Sequence, residues 1–148
     1  MEITWNIKHF DQLSPYELYA ILQLRSAVFV VEQNCVFQDM DDKDQVCHHL
    51  MGFANGRLIA VTRLVPPGIS YPQPSIGRVA TASLARGLGL GRSLMQQSIR
   101  AVETLYGVQP IRIGAQLYLK QFYESLGFVQ SSDIYDEDGI DHIEMTRS

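Results

Sequence analysis

The sequence of 148 residues lacks several features, and each absence narrows what the chain can be. It has only two cysteines, Cys35 and Cys47, which are too few for a disulfide framework or a zinc site, so we expect two reduced thiols. No apolar run approaches the roughly 20 residues that span a bilayer, so we expect no membrane partner. The N-terminus has no basic region followed by an apolar run, the pattern of a secretory signal, and we therefore expect a cytoplasmic protein.

The chain also lacks an excess of positive charge, since its formal net charge is −4. Non-specific nucleic-acid binding depends on basic surfaces, so we expect no nucleic-acid partner. The acidic residues are concentrated in residues 39–44 and 133–141. Two interpretations of these segments stay open: solvated loops, or a negative rim that attracts a cationic amine. A calcium loop is excluded because Lys43 and Asp44 occupy its fifth and sixth positions, which need an oxygen ligand and a glycine, so we expect no metal.

Hydrophobic spacing predicts the order β-α-(loop)-β-β-β-α-β-α-β-β within one domain, residues 1–148. Alternation over residues 3–7 predicts a first strand with one buried face. Residues 14–17, Ser-Pro-Tyr-Glu, form a capping box, so a helix is expected from there to about Val31. Asn55-Gly56 lies between two apolar runs and predicts a β-hairpin.

The second half of the sequence alternates strands with helices. Such alternation requires locally parallel pairing, whereas the hairpin makes the first half antiparallel. The expected fold class is therefore α/β, with a mixed sheet covered by helices. In this half the predicted strands are residues 75–82, 111–115, 128–129 and 143–145, and the predicted helices follow residue 91 and span residues 117–126.

A glycine-rich stretch, Ser83–Met95, joins a predicted strand to the following helix. In it three glycines alternate with leucines, and an arginine stands on each side. Such a turn suits a phosphate, because small residues let the backbone approach an anion while unpaired N–H groups and the helix dipole attract it. A P-loop does not fit, because Arg92-Ser93 follows Gly91 where Lys-Ser/Thr is needed. A dinucleotide fingerprint does not fit either, because it needs a glycine at position 92.

The stretch Arg86-Gly87-Leu88-Gly89-Leu90-Gly91 instead matches the Arg/Gln-x-x-Gly-x-Gly/Ala loop of the GNAT superfamily of N-acetyltransferases, which binds the pyrophosphate of acetyl-CoA. Val79-Ala80-Thr81 resembles the fourth strand of that family, and Tyr123–Phe128 resembles its Tyr-x-x-x-Gly-Phe segment. The resemblance covers essentially the whole chain and implies the GNAT fold, a single three-layer domain with a splayed central sheet. Further segments resemble the ElaA-like branch: Val28–Gln33, Asp41–Leu50, Ile76–Ala80, Ala115-Gln116 and Tyr135–His142.

This resemblance implies an acetyl-CoA-dependent N-acetyltransferase. The acetyl group would pass to a primary amine, on a small cationic molecule or a peptide, by direct attack in a ternary complex. Acetyl-CoA would be a co-substrate, and a homodimer is left open. The alternative function is a non-catalytic acyl-CoA-binding or regulatory module.

The same resemblance implies the cofactor-binding residues. Val79 and Thr81 would pair with the pantetheine arm, and a backbone N–H near Val79–Ala80 would polarise the thioester carbonyl. Gln116 stands near the position where many members use an asparagine to hold that arm. The full set expected to bind acetyl-CoA is Val79, Ala80, Thr81, Arg86, Gly87, Leu88, Gly89, Leu90, Gly91, Arg92, Ser93 and Gln116.

Tyr123 matches the family tyrosine that protonates the leaving sulfur. A phenol with an unperturbed pKa of about 10 suits that role, although a core tyrosine on an amphipathic helix is the other interpretation. For the general base or a substrate-positioning role the candidates are Glu32, His49 and His142, the last held by Asp138 or Asp141. Solvent without a dedicated base is a further alternative.

Overall fold

The computed structural model describes residues 2–148, and its elements follow the predicted order with one additional strand. The helices are α1 (Pro15–Arg25), α2 (Leu90–Tyr106) and α3 (Lys120–Glu124). The strands are β1 (Thr4–His9), β2 (His48–Ala54), β3 (Arg57–Val65), β4 (Ser75–Thr81), β5 (Ile111–Gln116), β6 (Phe128–Gln130), β7 (Tyr135–Glu137) and β8 (Ile140–Arg147).

The strands form two four-stranded sheets rather than one continuous sheet. The first has the order β1-β2-β3-β4, and the second has the order β5-β8-β6, with β7 also paired to β8. Every ladder within residues 2–148 is antiparallel, so the predicted parallel pairing is wrong. The reason is that β8 inserts between β5 and β6, and each of them pairs with β8 instead of with the other.

The two sheets meet at the start of β4 and β5 and separate beyond it. The backbone N–H of Arg112 donates to the carbonyl of Pro74 at 3.1 Å, next to the first residue of each strand. Further along, Val79 and Thr81 on β4 face Ala115 and Gln116 on β5 across a cleft. The splayed sheet that the resemblance implies is therefore confirmed.

Helices α1 and α2 cover opposite faces of the first sheet. Ala60 packs in the cluster that contains Leu94 of α2, whereas its neighbour Val61 packs with Ile21 of α1. Successive strand residues point to opposite faces, so a strand covered on both sides must be apolar at consecutive positions. This explains the nearly continuous apolar run of β3, all of which is buried except Arg57.

Local sequence signals set the ends of the first helix and the first hairpin. The capping box is confirmed, since the Ser14 hydroxyl accepts from the Glu17 N–H and the Glu17 carboxylate accepts from the Ser14 N–H. The helix continues to residue 32 as predicted, but Ser26–Glu32 is π-helical, in a segment whose β-branched residues disfavour the α-helix. Asn55 and Gly56 adopt φ of 51° and 74°, which confirms the hairpin turn.

Three smaller expectations were wrong in detail. β1 has no continuous buried face, because it is an edge strand and Ile7 is 44% exposed. The helix expected over residues 117–126 is a 3₁₀ turn, Leu117–Leu119, followed by α3. The last strand, β8, extends on both sides of residues 143–145 because it pairs with three partners. None of the helices formed by residues 2–148 has the length and apolar character needed to cross a membrane.

Candidate active site

A cleft of about 940 Å³ lies where β4 and β5 diverge. The π-helical segment, the chain that follows it, β4, β5, α3 and the β7–β8 hairpin all contribute to its walls. Of the residues predicted from sequence, it is lined by Glu32, Val79, Thr81, Arg86, Gln116, Tyr123 and His142.

The glycine-rich loop has the backbone of an anion-binding turn. Gly87 and Gly89 adopt φ of 86° and 71°, which side chains other than glycine rarely tolerate. A Cβ atom at either residue would meet nothing within 4 Å, so the space above the loop is open. Gly89 is the N-cap of α2 and supplies no side-chain cap, so the first N–H groups of the helix can take an external acceptor. These features fit a pyrophosphate.

The two arginines beside this loop have different surroundings. Arg86 lines the cleft, donates to the Thr81 carbonyl at 2.8 Å and forms a 2.8 Å ion pair with Glu32. Arg92 lies outside the lining and donates to the Ser125 hydroxyl at 2.9 Å, so it joins α2 to the end of α3. Leu90 is buried, whereas Leu88 is exposed, and Gly91 and Ser93 belong to the first turn of α2.

Tyr123 is both a core residue and a cleft residue. It is 6% exposed and makes edge contacts with Phe122 and Phe128, at ring-centroid distances of 5.1 and 5.9 Å. Burial disfavours the phenolate and, with a smaller effect of Tyr118, raises the pKa of Tyr123 to about 12. The hydroxyl therefore stays protonated at neutral pH, as an acid requires.

The structure separates the three base candidates. Glu32 lines the cleft in its ion pair with Arg86. His142 also lines the cleft, with Nδ1 2.8 Å from the Ile140 carbonyl and Nε2 3.2 Å from the Glu137 carboxylate. Its carboxylate partner is thus Glu137 rather than Asp138 or Asp141.

His49 is not part of the cleft lining. It is 1% exposed, and its Nε2 lies 3.0 Å from the carbonyl oxygen of Asp44. Burial lowers the pKa of His49, because removal from water disfavours the imidazolium. The structure therefore does not bring His49 together with the other two candidates.

Strand β4 carries an irregularity at the cleft. Val61 of β3 pairs with Ala80 of β4, and Arg63 pairs with Gly77. Between these two pairs, one residue of β3 lies opposite two residues of β4, Arg78 and Val79. Arg78 adopts a left-handed φ of 49°, a conformation that costs a residue other than glycine about 1–3 kcal/mol. This is a β-bulge. The side chain of Ala80 is buried toward α1, and this residue is not part of the cleft lining.

Both interpretations of the first acidic segment, residues 39–44, were wrong for Asp39, Asp41 and Asp44, which are paired with arginines, whereas Asp42 is exposed. Asp39 and Asp44 are each 6% exposed and bind Arg25, which is 1% exposed, at 2.7 and 2.8 Å. A buried guanidinium needs carboxylate partners, and the segment supplies them.

Two further arginines complete this cluster. Arg63 binds Asp41 at 2.7 Å, and Arg78 lies 2.8 Å from Asp39. Burial by itself would raise the pKa of Asp41, but the hydrogen bonds and charges of Arg63 and Arg78 outweigh it and hold that pKa at about 2. Arg63, Arg78 and Asp41 line the cleft and were missed from sequence. No local pattern in the sequence pairs the aspartates of this segment with these distant arginines.

The second acidic segment remains exposed, in agreement with either interpretation of it. Within it, Glu137 and Asp138 line the cleft. Among residues 2–148, no group of three or more His, Cys, Asp or Glu side chains is arranged to hold a metal ion.

A family model described as an acetyltransferase (GNAT) domain matches residues 16–148. The chain belongs to the GNAT acetyltransferase family. This GNAT protein is 40% identical over 147 residues to the protein ElaA of Escherichia coli strain K12. The aligned region covers 98% of this chain and 96% of ElaA. The family match and this relative place it in the ElaA-like branch.

Solved structures agree with this assignment. An acyl-CoA N-acyltransferase from Pseudomonas aeruginosa superposes with a TM-score of 0.95 at 44% identity, covering 99% of this chain and 100% of that one. The crystal structure of Escherichia coli ElaA gives 0.92 at 39% identity, with the same coverage. A GNAT acetyltransferase from Elizabethkingia anophelis with acetyl-CoA bound shares the fold, at a TM-score of 0.65, 17% identity and coverage of 98% and 97%. Membership of the family supports acyl-CoA-dependent N-acyltransferase activity.

Proposed function

We propose that this protein is an acetyl-CoA-dependent N-acetyltransferase that acetylates a primary amine by direct attack in a ternary complex. The observation that carries the proposal is the meeting of three predicted elements in one cleft. The edge of β4 at Val79 and Thr81, the loop residue Arg86 and the phenol of Tyr123 all line it, although they are far apart in sequence.

The donor would lie along the glycine-rich loop and β4. The N–H groups of residues 87–91 and of the first turn of α2 would bind its pyrophosphate, and Gln116 on β5 would contact the pantetheine arm from the opposite wall. Arg86 would contribute charge at the same end of the cleft. Its ion pair with Glu32 keeps the guanidinium in place at the junction of the loop and the π-helical segment.

The reaction needs a carbonyl that is polarised and a sulfur that leaves as a thiol. A backbone N–H near Val79–Ala80 would donate to the thioester oxygen as negative charge develops on it. The neutral amine attacks the carbonyl carbon, the C–S bond breaks, and the Tyr123 hydroxyl gives its proton to the departing sulfur. The amine proton leaves to a base, and Tyr123 is then reprotonated from solvent.

The acceptor would enter beside the β7–β8 hairpin. Glu137 and Asp138 are exposed carboxylates of the cleft lining, and they support a positively charged acceptor, either a small cationic molecule or a peptide amine. Glu32 and His142 each hold a charged partner, so we propose that they position the amine and that water removes its proton.

A thiol-release screen of acetyl-CoA against a panel of amines tests this function. Turnover with at least one primary amine is expected, and acetyl-CoA should raise the melting temperature of the protein. Tight acetyl-CoA binding without turnover on any amine would favour the binding-module alternative. If acetyl-CoA produced no thermal shift, the donor assignment itself would be wrong.

Replacing Gly89 with valine should weaken acetyl-CoA binding by at least about tenfold. A β-branched residue at φ of 71° is strained, and its side chain would occupy the open space above the loop. The dissociation constant from isothermal titration calorimetry measures the effect.

Gly56→Val is the matched control for this substitution. Gly56 has nearly the same φ, 74°, and equally open space around it, but it lies in the β2–β3 turn rather than in the glycine-rich loop. Both variants should lose similar thermal stability, and only Gly89→Val should lose affinity. Equal affinities in the two variants would count against the loop as the pyrophosphate site.

A further inference from the structure

The bulge in β4 is held by side chains that come from the acidic segment. The guanidinium of Arg78 lies 2.8 Å from the Asp39 carboxylate, donates to the Asp39 carbonyl at 2.7 Å and reaches Asp41 at 3.4 Å. It also lies over the ring of Phe37, 6.0 Å from the centroid. One side chain on the bulge thus has four contacts, all within residues 37–41.

The partners of Arg78 are themselves fixed. Asp39 also accepts from the buried Arg25 at 2.7 Å, and Asp41 also binds Arg63 on β3. Arg25 lies at the end of α1, so the anchor connects the helix and the first sheet to the bulge. A rigid anchor of this kind can hold a residue in a backbone conformation that it would otherwise leave.

The strained residue immediately precedes Val79, a residue that lines the cleft. Bulges beside active sites redirect the backbone of the strand that carries them. If Arg78 returned to an extended conformation, the peptide between residues 78 and 79 would rotate, and the N–H of Val79 would point elsewhere.

We propose that Arg78 is a positioning residue, anchored by Asp39 and Asp41, that holds the left-handed bulge and thereby directs the N–H of Val79 at the thioester carbonyl. This inference rests on the proposed function, because it assigns the N–H a carbonyl to polarise. The inference gives a reason for the burial of Asp39, in a segment whose acidic residues would otherwise favour exposure to solvent. The segment fixes the strand geometry on which the reaction depends.

Substitutions at position 78 separate the backbone conformation from the charge. Arg78→Ala removes the anchor and keeps the conformational strain, so kcat should fall about 10- to 100-fold, far more than any change in the KM for acetyl-CoA. Arg78→Gly also removes the anchor, but glycine adopts a positive φ without strain. Its kcat should therefore exceed that of Arg78→Ala by about tenfold. Arg78→Lys keeps a cation but loses the planar fork, and it should be less active than Arg78→Gly.

Binding provides a readout that is independent of turnover. A carbonyl contact favours binding of acetyl-CoA over free CoA. The dissociation constant of CoA divided by that of acetyl-CoA should therefore fall in Arg78→Ala and recover in Arg78→Gly. If Arg78→Ala does not fold, the comparison of Arg78→Lys with Arg78→Gly gives the same test. Equal kcat and equal binding ratios in the alanine and glycine variants would overturn the inference. Absence of turnover in the unaltered protein would overturn the proposed function, and the binding ratios would still decide the role of Arg78.

Discussion

Tyr123→Phe is expected to lower kcat by about 100-fold or more while the affinity for acetyl-CoA stays within about twofold. The substitution removes one hydroxyl and keeps the ring contacts with Phe122 and Phe128, so the core should remain packed. Without the phenol, the sulfur has to leave as a thiolate or take its proton from water. Steady-state thiol release and calorimetric titration with acetyl-CoA measure the two quantities.

The raised pKa of Tyr123 makes the pH dependence of this reaction diagnostic. With a pKa of about 12, the hydroxyl remains protonated up to pH 10, so the rate should not fall in that range through loss of the acid. We expect kcat/KM to rise as the amine deprotonates and then to stay level. If kcat/KM instead declined with an apparent pKa below 10, and the decline disappeared in Tyr123→Phe, the phenol of Tyr123 would not have the pKa that its burial implies.

Tyr106→Phe is the matched control for both experiments. Burial raises the pKa of Tyr106 to about 12 as well, but its hydroxyl donates to the Leu64 carbonyl and lies outside the cleft lining. This variant should lose some stability and keep its kcat. A similar fall in kcat in both variants would show that the effect of Tyr123→Phe is structural.

Arg25→Met is expected to reduce the free energy of unfolding by about 3–5 kcal/mol, because removing one partner of a buried ion pair leaves uncompensated charge. Arg25 is a large, fully buried side chain that binds both Asp39 and Asp44. Methionine fills a similar volume and leaves both carboxylates with one cation fewer. Urea unfolding followed by circular dichroism gives the free-energy difference.

The loss of stability in Arg25→Met should shrink in acid. Burial would raise the pKa of Asp44, but the hydrogen bonds and charges of Arg25 and Arg63 outweigh it and hold that pKa below its usual value. A lowered pKa stabilises the fold above the pKa of the unfolded chain, about 3.9, and this contribution is lost as the pH falls below it. In the variant, protonation relieves the unpaired charge. The two proteins should therefore converge as the pH falls below about 4.

Lys8→Met is the control for the removal of a cation. Lys8 forms a 3.0 Å ion pair with Glu17 near the surface, and exposed pairs of this kind contribute well below about 1 kcal/mol. Its unfolding free energy should change little at any pH. A loss in Arg25→Met as small as that in Lys8→Met would show that the buried cluster is not a determinant of stability.

Sequence reasoning succeeded where the chemistry is local or contiguous. The capping box at Ser14 and Glu17, the Asn55-Gly56 turn and the glycine-rich loop each depend on a few adjacent residues whose backbone requirements are specific. The resemblance to a known family then connected the loop with Val79 and Tyr123. For that reason four residues of the cleft lining, Val79, Thr81, Arg86 and Tyr123, could be predicted from sequence.

The interpretations of the first acidic segment failed for Asp39, Asp41 and Asp44, because a sequence does not show which charges become paired in the fold. Aspartates normally indicate exposure, yet Asp39 and Asp44 are buried and are paired with arginines from α1, β3 and β4. His49 illustrates the same limit. A histidine at the start of a strand could have faced the cleft, and only the packing around it shows that it does not.

By itself the sequence determined the element order, the glycine-rich loop and the family, because each of these depends on short-range patterns of residue type and spacing. Only the tertiary structure decided that β8 inserts between β5 and β6, that Arg78 takes a left-handed conformation, and that Glu32 meets Arg86 while His142 meets Glu137. These features depend on which distant segments are brought together. Strand insertion and buried charge pairing are settled by packing of the whole chain, and no local pattern encodes them.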